Sequence, residues 1–446
     1  MTLVSGWGRF PVVDTDVLRP RSFQAVGEAI ANRPGGIARG NGRAYGDAGI
    51  GASQTIEMMA FDRVRWFDPE SGRIRLEAGV LLSDLIDTFA PRGFFPFVVP
   101  GTRYVSIGGA IAADVHGKNH HCEGGFGRYV ESILLLPGQG EPIELSRTQN
   151  PDAFFATIGG MGLTGAILEA TIRLRRIETG WIRERVIPAA NLREAAQALE
   201  GDGNSSTYSV AWIDCVAKGE SLGRSLVYLG EHARTDEISG KGSAFPRGHD
   251  PRLNVPFNFP SMSLNRYSVR AFNEAYFRMG ERRAGATHFV SMFPYFFPLD
   301  SVGAWNRIYG RRGFLQYQCV IPQASSLDVL GELLERISTR GNASFLAVLK
   351  KLGDGDGIMS FGLPGYTLAL DFPMTATIMN FLDELDRVVV AAGGRFYLAK
   401  DARQSRATFE AGYPAIQRFN EIRRSLDPEG RIRSRLSQRL LDEVRP

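Results

Sequence analysis

The chain has 446 residues and a formal net charge of +4, with 43% hydrophobic and 22% charged residues. This is the composition of a globular protein long enough for two domains, and apolar runs such as Phe94–Val99 are far shorter than the roughly 20 residues that span a bilayer. Three scattered cysteines without a CxxC pair argue against a disulfide framework or a metal site and favour reduced thiols, while no basic stripe indicates a nucleic-acid partner.

The first part of the chain reads as short helices and strands between glycine-rich loops. Ser22 is a typical N-cap and predicts a helix through Ile30. Alternating polarity predicts a hairpin of residues 64–66 with residues 74–76. The other elements predicted here are strands at Ser132–Pro137, Pro142–Leu145 and Ala166–Leu174 and a helix at Asp152–Ile158.

Three glycine-rich loops lie in this part, at residues 39–47, 100–121 and 159–165. Paired glycines followed by small residues let a flat or phosphate-bearing ligand approach the backbone. In isolation the second loop is better interpreted as a tight turn with a core histidine at His116, and only the presence of the other two loops favours a ligand site. The third loop contains G-x-G-x-x-G, but it precedes a strand and does not open a helix, so a Rossmann site is rejected.

From about residue 178 the pattern changes to aromatic-rich strands and amphipathic helices, which predicts an antiparallel sheet with helices on one face and an α+β fold class. The predicted strands are Ser206–Cys215, Phe314–Ile321, Ser344–Leu352 and Tyr366–Phe372, and the helices are Leu327–Ile337 and Thr377–Ala392. Val255–Pro298 reads as a loop with interspersed aromatic and arginine residues. It is either an ordinary domain edge or a mobile lid that meets anionic lipid.

The ordered set of motifs resembles the FAD-binding oxidoreductases of the vanillyl-alcohol oxidase (p-cresol methylhydroxylase) superfamily, and within it the polyprenylphosphoryl-ribose 2′-oxidases. The matching segments run along nearly the whole chain. They are GWGR at 6–9, RGNGRAYGD at 39–47, PGTRYVSIGGAIAADVHGKNHH at 100–121, GGMGLTG at 159–165, GFLQYQCVIP at 313–322, SFLAVLKKLG at 344–353, DFP at 371–373 and FYLAKDAR at 396–403.

The resemblance implies a two-domain fold. An FAD-binding domain would comprise residues 1–177 and 395–446, and an inserted antiparallel-sheet substrate domain would comprise residues 178–394, with the lid at 255–298. The implied cofactor residues are Arg39, Gly40, Asn41, Gly42, Arg43, Ala44, Tyr45, Gly46, Asp47, Gly101, Ser106, Ile107, Gly108, Gly109, Ala113, Asp114, His116, Gly117, Ile167 and Tyr397. The backbone N–H groups of the first two loops are expected to bind the pyrophosphate. Because Arg43 stands where some relatives carry a flavin-linking histidine, the FAD is expected to be non-covalent.

Flavin oxidation of an alcohol needs a C–H directed at the flavin and a group that takes the hydroxyl proton. Lys400 and His116 are the two candidates, and the choice between them stays open because Lys400 could remain charged and His116 could only orient the substrate. The implied substrate residues are Tyr45, Lys118, Trp212, Gln316, Gln318, Lys350, Thr367, Ala369 and Lys400. By the period-two rule Gln316 and Gln318 share one face of their strand, as Thr367 and Ala369 do of theirs.

The resemblance implies FAD-dependent oxidation of the 2′-hydroxyl of a polyprenyl-phosphoryl-β-D-ribose to the 2′-keto sugar. The expected partners are an NAD(P)H-dependent short-chain reductase that completes an epimerisation to the arabinose form, a quinone or other electron acceptor, and a membrane surface touched peripherally by a cytoplasmic protein. One alternative is a soluble sugar-alcohol or aldonolactone oxidase of the same superfamily. Another is a flavin-binding subunit without catalysis, which the presence of Lys400, His116 and the glutamine strand disfavours.

Overall fold

The first part of the chain builds two β-sheets. The computed structural model describes residues 2–248, 251, 253–260, 265–341, 344 and 346–442. The first ten strands are β1 (Thr2–Ser5), β2 (Val12–Leu18), β3 (Gly36–Arg39), β4 (Gln54–Glu57), β5 (Val64–Asp68), β6 (Arg73–Glu77), β7 (Phe94–Pro96), β8 (Val130–Leu136), β9 (Ile143–Ser146) and β10 (Ala166–Arg176). The helices between them are α1 (Phe23–Asn32), α2 (Leu82–Phe89), α3 (Ile107–Ala112), α4 (His120–Glu123) and α5 (Pro151–Thr157).

The first sheet has the order β1-β2-β4-β3, with β4 parallel to both of its neighbours. The second has the order β5-β6-β10-β8-β9, is antiparallel, and carries β7 beside β10. No βαβ unit opens at the loop 159–165, which leads from α5 into β10. The rejection of a Rossmann reading there is therefore confirmed, as are the N-cap at Ser22 and the hairpin of β5 with β6.

The middle of the chain builds an eight-stranded antiparallel sheet, with the order β15-β11-β13-β12-β18-β19-β17-β20. Its members and the short β14 and β16 are β11 (Trp181–Ala189), β12 (Tyr208–Ile213), β13 (Ser225–His232), β14 (Leu253–Asn254), β15 (Thr287–Ser291), β16 (Val302–Gly303), β17 (Phe314–Pro322), β18 (Ala347–Leu352), β19 (Gly365–Pro373) and β20 (Arg395–Phe396). The helices are α6 (Leu192–Glu200), α7 (Asp202–Ser205), α8 (Arg266–Glu281), α9 (Met292–Phe296), α10 (Ser326–Arg340) and α11 (Ile378–Ala391).

Successive side chains of each strand point to opposite faces of this sheet, as strand geometry requires. On one face Leu315, Tyr317, Leu368 and Leu370 form a core with the buried sides of α6, α10 and α11. The opposite face looks toward the first part of the chain. The predicted antiparallel sheet with helices on one face is confirmed.

The C-terminal helices α12 (Arg406–Gly412), α13 (Ile416–Leu426) and α14 (Arg435–Leu440) return to the first part of the chain. Backbone bridges join Gly36 to Ile432 and Gly51 to Ser434. Arg439 forms ion pairs with Asp47 at 3.0 Å and with Asp401 at 2.9 Å. The two ends of the chain are thus packed into one core.

The loop predicted at Val255–Pro298 is wrong for most of its described length. It contains α8, β15 and α9, and residues 261–264 lie outside the described part. The reason is local, because Asn265 caps α8 by accepting from the N–H groups of Tyr267 and Ser268. Among the described residues, no helix is both long and apolar enough to cross a membrane.

Candidate active site

A large cavity lies between the first part of the chain and the face of the eight-stranded sheet that carries Gln316 and Gln318. Its volume is about 1150 Å³. That exceeds the roughly 300–1,000 Å³ of a usual small-molecule pocket, so the cavity has room for a cofactor and a substrate together. The predicted site residues that line it are Arg39, Gly40, Asn41, Gly42, Arg43, Ala44, Tyr45, Gly101, Ser106, Gly108, Gly109, Ala113, His116, Gly117, Lys118, Ile167, Trp212, Gln316, Gln318, Lys350, Ala369, Tyr397 and Lys400.

Residues 40–44 form the part of the wall best suited to an anion. Among the described residues, no acceptor binds the five backbone N–H groups of this loop. Gly42 has φ +63°, in the left-handed region, and such a residue within a loop lets consecutive N–H groups converge into an anion-binding nest. The guanidinium of Arg43 stacks 4.2 Å from the centroid of the Trp7 ring, and its buried Nε has no partner among the described residues.

The first turn of α3 does not provide the second anion nest that we expected at Ser106–Gly109. The N–H of Ile107 donates to Val80 O at 2.8 Å, and the N–H of Gly108 donates to Ala78 O at 2.8 Å. The N–H of Gly109 donates to the Ser106 hydroxyl at 3.3 Å. These glycines are needed because the protein packs against itself here, since a Cβ on Gly108 would lie 2.9 Å from the Cβ of Ala78.

Five predicted site residues do not line the cavity: Gly46, Asp47, Ile107, Asp114 and Thr367. Gly46 packs against the backbone of Asp401, and Asp47 pairs with Arg439. Asp114 accepts from Gly127 N at 2.8 Å and from the Ser360 hydroxyl, which fixes the loop behind the cavity. Thr367 is 1% exposed and accepts from Gln318 at 3.3 Å, so it supports a lining residue from behind.

Three lysines from three distant segments face the cavity. Burial lowers the pKa of Lys118 to about 7 and that of Lys350 to about 8. Burial and repulsion from Lys350 lower the pKa of Lys400, while attraction by Asp371 opposes this shift. A lysine with such a depressed pKa can bind an anion in its charged form and accept a proton in its neutral form.

Lys400 is held at the junction of the first loop and the C-terminal segment. Its Nζ lies 3.5 Å from the centroid of the Tyr45 ring, a cation–π distance. The backbone N–H of Tyr45 donates to Ala399 O at 2.8 Å, which ties the loop to the residue before Lys400. The turn that begins at Tyr397 thus places Lys400 beside Tyr45 and the loop of residues 40–44.

His116 lies on the same wall and forms a hydrogen bond with Gln318 of β17. Its Nε2 is 3.1 Å from Nε2 of Gln318, and its buried Nδ1 has no partner within the described part of the chain. Burial, with repulsion from Lys350, keeps the pKa of His116 well below its usual value, so the ring is neutral at physiological pH. Tyr397 packs edge-on to the ring at 5.2 Å and donates its hydroxyl to Ala113 O at 3.0 Å.

The sheet places the expected substrate residues side by side. Gln318 pairs with Ala369, Ala369 with Val348, and Val348 with Trp212, so the four side chains form a row across three strand boundaries. Gln316 belongs to the next row, opposite Asp371. A row of amide, small and aromatic groups can bind a sugar by hydrogen bonds and by stacking.

Sequence reasoning missed two acidic residues: Asp300, which lines the cavity, and Asp371, which is fully buried and accepts a hydrogen bond from the lining residue Gln316. Asp300 lines the cavity, accepts from the N–H of Arg103 at 2.8 Å and attracts Arg43. No sequence motif marks Asp300, which lies in the short turn that follows α9. Asp371 could have been found, because it lies two positions beyond Ala369 and therefore on the same face of β19.

Comparison with known proteins agrees with this arrangement. Residues 18–146 match the FAD binding domain family, and residues 368–440 match the D-arabinono-1,4-lactone oxidase family. Decaprenylphosphoryl-beta-D-ribose oxidase of Mycolicibacterium smegmatis is 38% identical over 98% of this chain and 96% of its own length. The chain belongs to the decaprenylphosphoryl-β-D-ribose oxidase family, within the vanillyl-alcohol oxidase superfamily.

Two further relatives of this decaprenylphosphoryl-β-D-ribose oxidase family member have lower sequence identity. An uncharacterized protein of Streptomyces coelicolor is 32% identical over 81% of the chain and the whole of its own length. L-gulonolactone oxidase of Bos taurus is 24% identical over 92% of each chain. The protein is therefore an FAD-dependent oxidoreductase, as the sequence predicted.

The residues present fit FAD. The unpaired N–H groups of residues 40–44 suit a pyrophosphate, and the cavity continues from them past Ala113 and Ile167 to the lysines. Ala113 presents a methyl group, which leaves the cavity wide at that point. Two buried nitrogen atoms without partners among the described residues, Arg43 Nε and His116 Nδ1, lie on residues that line the cavity and leave hydrogen-bonding capacity for a polar ligand.

Proposed function

We propose that this protein oxidises the 2′-hydroxyl of a polyprenyl-phosphoryl-β-D-ribose to the 2′-keto sugar. The observation that carries the proposal is that Lys118, Lys350 and Lys400 line one cavity together with Gln316 and Gln318. The same cavity is lined by residues 40–44, whose backbone N–H groups have no acceptor among the described residues. The lysines and the glutamine face suit a sugar that carries a phosphodiester, and the loop suits the FAD. The relative of 38% identity is named as an oxidase of such a sugar.

The chain's own residues supply binding, orientation and a proton acceptor. Bound FAD provides the two-electron acceptor for the hydride that leaves C2′. Lys400 Nζ takes the proton of the 2′-hydroxyl, because its depressed pKa makes the neutral amine accessible. His116 orients the sugar, because Gln318 Nε2 already occupies the lone pair of His116 Nε2 and leaves an N–H at Nδ1.

The substrate residues divide between the two ends of the sugar phosphate. Gln316 and Gln318 hydrogen-bond the ribose hydroxyls, with Ala369 leaving space for the ring and Trp212 packing against it. Lys118 and Lys350 bind the phosphodiester. The N–H groups of residues 40–44 hold the FAD pyrophosphate.

The domain layout follows the superfamily. Residues 1–177 and 395–446 form the FAD-binding domain, and residues 178–394 form the substrate domain. The two large buried cores support this division, since one draws mainly on both ends of the chain and the other on the middle. The pairing of β20 with β17 continues the substrate sheet two residues beyond the proposed boundary.

The FAD is held without a covalent bond to the chain. Arg43 occupies the loop position at which a linking histidine would stand, and its guanidinium stacks on Trp7. Acid precipitation is expected to release the yellow chromophore into the supernatant. Chromophore that stays with the precipitated chain would contradict this.

The product of the reaction requires a second enzyme. A 2′-keto sugar becomes the arabinose epimer only if a hydride is returned to the opposite face of C2′, which is the chemistry of an NAD(P)H-dependent short-chain reductase. The reduced flavin requires an electron acceptor, and a membrane quinone suits a lipid-linked substrate. We assign the protein to the cytoplasmic side, in contact with the membrane surface.

Helix α8 is the surface proposed to meet the membrane. Phe272 and Met279 are 46% and 54% exposed, lie seven residues apart on one side of the helix, and also line the cavity. The exposed residues Arg270 and Arg278 lie on the same helix, and the exposed Arg282 directly follows its last residue. An apolar stripe flanked by cations suits anionic head groups, and its continuity with the cavity gives the polyprenyl chain a path to the bilayer.

The proposed function is tested by identifying the product. The flavin-loaded protein is incubated with a synthetic prenylphosphoryl ribose and an artificial electron acceptor, and the product is trapped with borodeuteride. We expect one deuterium at C2′ in both ribose and arabinose epimers, and none when prenylphosphoryl 2-deoxyribose is used. Deuterium at another carbon, or no labelled sugar, would contradict the assignment.

The second candidate is oxidation of a soluble aldonolactone or sugar alcohol. It is favoured by the match of residues 368–440 to D-arabinono-1,4-lactone oxidase and by the lactone-oxidising relatives. Oxygen consumption with free lactones, faster than with the prenylphosphoryl ribose, would favour this candidate.

A further inference from the structure

The cavity continues past the expected sugar-binding residues to a second end beneath α8. Trp212 is the last residue of the row that begins at Gln318, and beyond its strand β12 the sheet extends through β13 and β11 to β15. Side chains of α8 cover this part of the sheet, since Phe272, Tyr276 and Met279 line the cavity. Their spacing of four and three residues places them on one side of the helix. We call this part of the cavity the α8 end.

The wall of the α8 end is largely apolar and aromatic. Val210 of β12 and Val290 of β15 line it from the sheet. From the helix, Tyr276 packs against Trp212 with the ring centroids 4.9 Å apart and against Phe272 with the centroids 5.8 Å apart. Such a wall offers apolar surface and dispersion contacts to a ligand, but few hydrogen bonds.

Four polar side chains that line the α8 end bind one another in two pairs. The Tyr228 hydroxyl donates to the Tyr276 hydroxyl at 2.9 Å. Glu184 of β11 is 5% exposed and forms an ion pair at 2.6 Å with Arg283, which lies just beyond the end of α8. The two pairs tie α8 and the residues that follow it to β13 and β11. Because these groups already have partners, they gain little from a polar ligand.

Elsewhere in the cavity, buried polar atoms have no such partners. His116 Nδ1 and Arg43 Nε are buried, lie on cavity-lining residues and have no hydrogen-bond partner among the described residues. Buried polar groups in folded proteins are normally hydrogen-bonded, so these parts of the cavity are suited to a polar ligand. The chemistry of the wall therefore changes along the cavity, from polar groups without partners to an apolar end whose polar groups are paired.

We propose that the α8 end is a binding subsite for the isoprenoid chain of the substrate, in which the first isoprene units lie between the sheet and α8, against Phe272, Tyr276 and Met279. This inference rests on the proposed function, which supplies a ligand with a polar head joined to a hydrocarbon chain. One molecule of this kind matches both parts of the cavity. The protein therefore selects its substrate by the chain as well as by the sugar, and it does so without a membrane.

The test is a binding series without lipid or detergent. Prenylphosphoryl 2-deoxyribose analogues with one, two and three isoprene units are titrated into the flavin-loaded protein in a calorimeter. We expect the wild-type affinity to rise by about tenfold or more for each isoprene unit that enters the subsite, since such a unit has about the apolar size of a leucine side chain. In Tyr276→Ala we expect this gain per unit to be largely lost, while the affinity for the one-unit analogue changes little.

Two further variants separate ring contacts from other effects. The matched control is Tyr267→Ala, which removes a tyrosine that is 68% exposed on the same helix and does not line the cavity, and it is expected to keep the wild-type series. The double variant Tyr228→Phe with Tyr276→Phe removes both paired hydroxyls and keeps both rings. We expect it to keep the wild-type gain per unit, because a hydrocarbon chain contacts the rings and not the hydroxyls.

A wild-type affinity that does not rise with the number of isoprene units would overturn the inference, and so would a Tyr276→Ala variant that binds all three analogues more weakly by the same factor. If Tyr276→Ala does not fold, Met279→Ser changes a 54% exposed residue on the same side of α8. A reduced gain per unit is expected there, and the wild-type series in that variant would overturn the inference.

The binding series needs no turnover, so it separates the subsite from the proposed function. A protein whose affinity rises with chain length but that does not oxidise prenylphosphoryl ribose would refute the proposed function and leave the subsite supported. A protein that oxidises this sugar equally well with one and with three isoprene units, and binds them equally, would refute the subsite alone.

Discussion

Lys400 Nζ lies 3.5 Å from the centroid of the Tyr45 ring, although 355 positions separate the two residues along the chain. The contact joins the C-terminal segment to the loop that carries the unpaired N–H groups of residues 40–44. It brings the proposed proton acceptor to the part of the cavity where FAD is expected to bind.

The first prediction concerns Lys400 itself. Lys400→Met is expected to lower kcat by about 10²–10⁴-fold, the usual contribution of a general base, while flavin content stays near that of the wild type. The rate of flavin reduction in anaerobic stopped flow measures this. Lys241→Met, at an exposed position far along the chain, is the control and is expected to keep the wild-type rate. Wild-type reduction by the methionine variant would exclude Lys400 as the acceptor.

The second prediction concerns the pH dependence of phosphodiester binding. The pKa values of Lys118 and Lys350 are about 7 and about 8, so both lysines are charged below these values and lose their charge as pH rises through them. The affinity for prenylphosphoryl 2-deoxyribose, which cannot be oxidised at C2′, is therefore expected to weaken between pH 6 and 9. A titration calorimeter measures it.

Neighbouring lysines on β18 provide the control for this binding. Lys350→Met is expected to weaken binding at pH 6 by about 10–100-fold, corresponding to roughly 1.5–3 kcal/mol for a charged hydrogen bond. Lys351 points to the other face of the strand, where it pairs with Glu200 at 2.6 Å. Lys351→Met is expected to bind like the wild type, and equal losses in both variants would contradict the assigned phosphate site.

Particular elements show how much of the structure could be predicted from the sequence. The period-two rule correctly placed Gln316 and Gln318 on one face, because alternation along a strand is local information. The same rule also places Asp371 on the face of β19 that carries Thr367 and Ala369, but it was applied only as far as Ala369. The N–H groups of Ile107 and Gly108 were misjudged for a different reason. Their acceptors, the carbonyl groups of Val80 and Ala78, lie 27 and 30 residues upstream, and only folding brings them near.

Residues 255–298 were predicted as a loop because the helical periodicity of α8 is not evident from its sequence. Phe272 and Met279 are apolar but exposed, so the helical pattern of α8 does not separate buried from exposed positions in the usual way. An apolar residue on the surface of a helix is a departure from packing rules, and such departures are expected at functional surfaces.

The third prediction follows from that exposed stripe. Phe272→Asp and Met279→Asp are each expected to weaken binding to vesicles that contain anionic lipid by about 10–100-fold, since burying such a side chain contributes roughly 1.5–3 kcal/mol. Vesicle co-sedimentation measures it. Leu327→Asp changes an exposed leucine on α10 and serves as control. Equal binding by all three variants would remove α8 as the membrane surface.

The fourth prediction concerns the joint between the two ends of the chain. Arg439→Met leaves the carboxylates of Asp47 and Asp401 without a shared cation, and both are largely buried. We expect a loss of about 3–5 kcal/mol in the free energy of unfolding, measured by urea titration. Arg418→Met breaks the exposed pair with Asp152 and is expected to cost less than about 1 kcal/mol. Similar losses in the two variants would contradict the structural role of Arg439.

The measurement that bears most directly on the central claim is the absorbance of the bound flavin under anaerobic conditions when one equivalent of prenylphosphoryl ribose is added. We predict complete loss of the oxidised flavin band with the ribose and no change with the 2-deoxy analogue. A band that persists with prenylphosphoryl ribose but bleaches with a free aldonolactone would contradict the account.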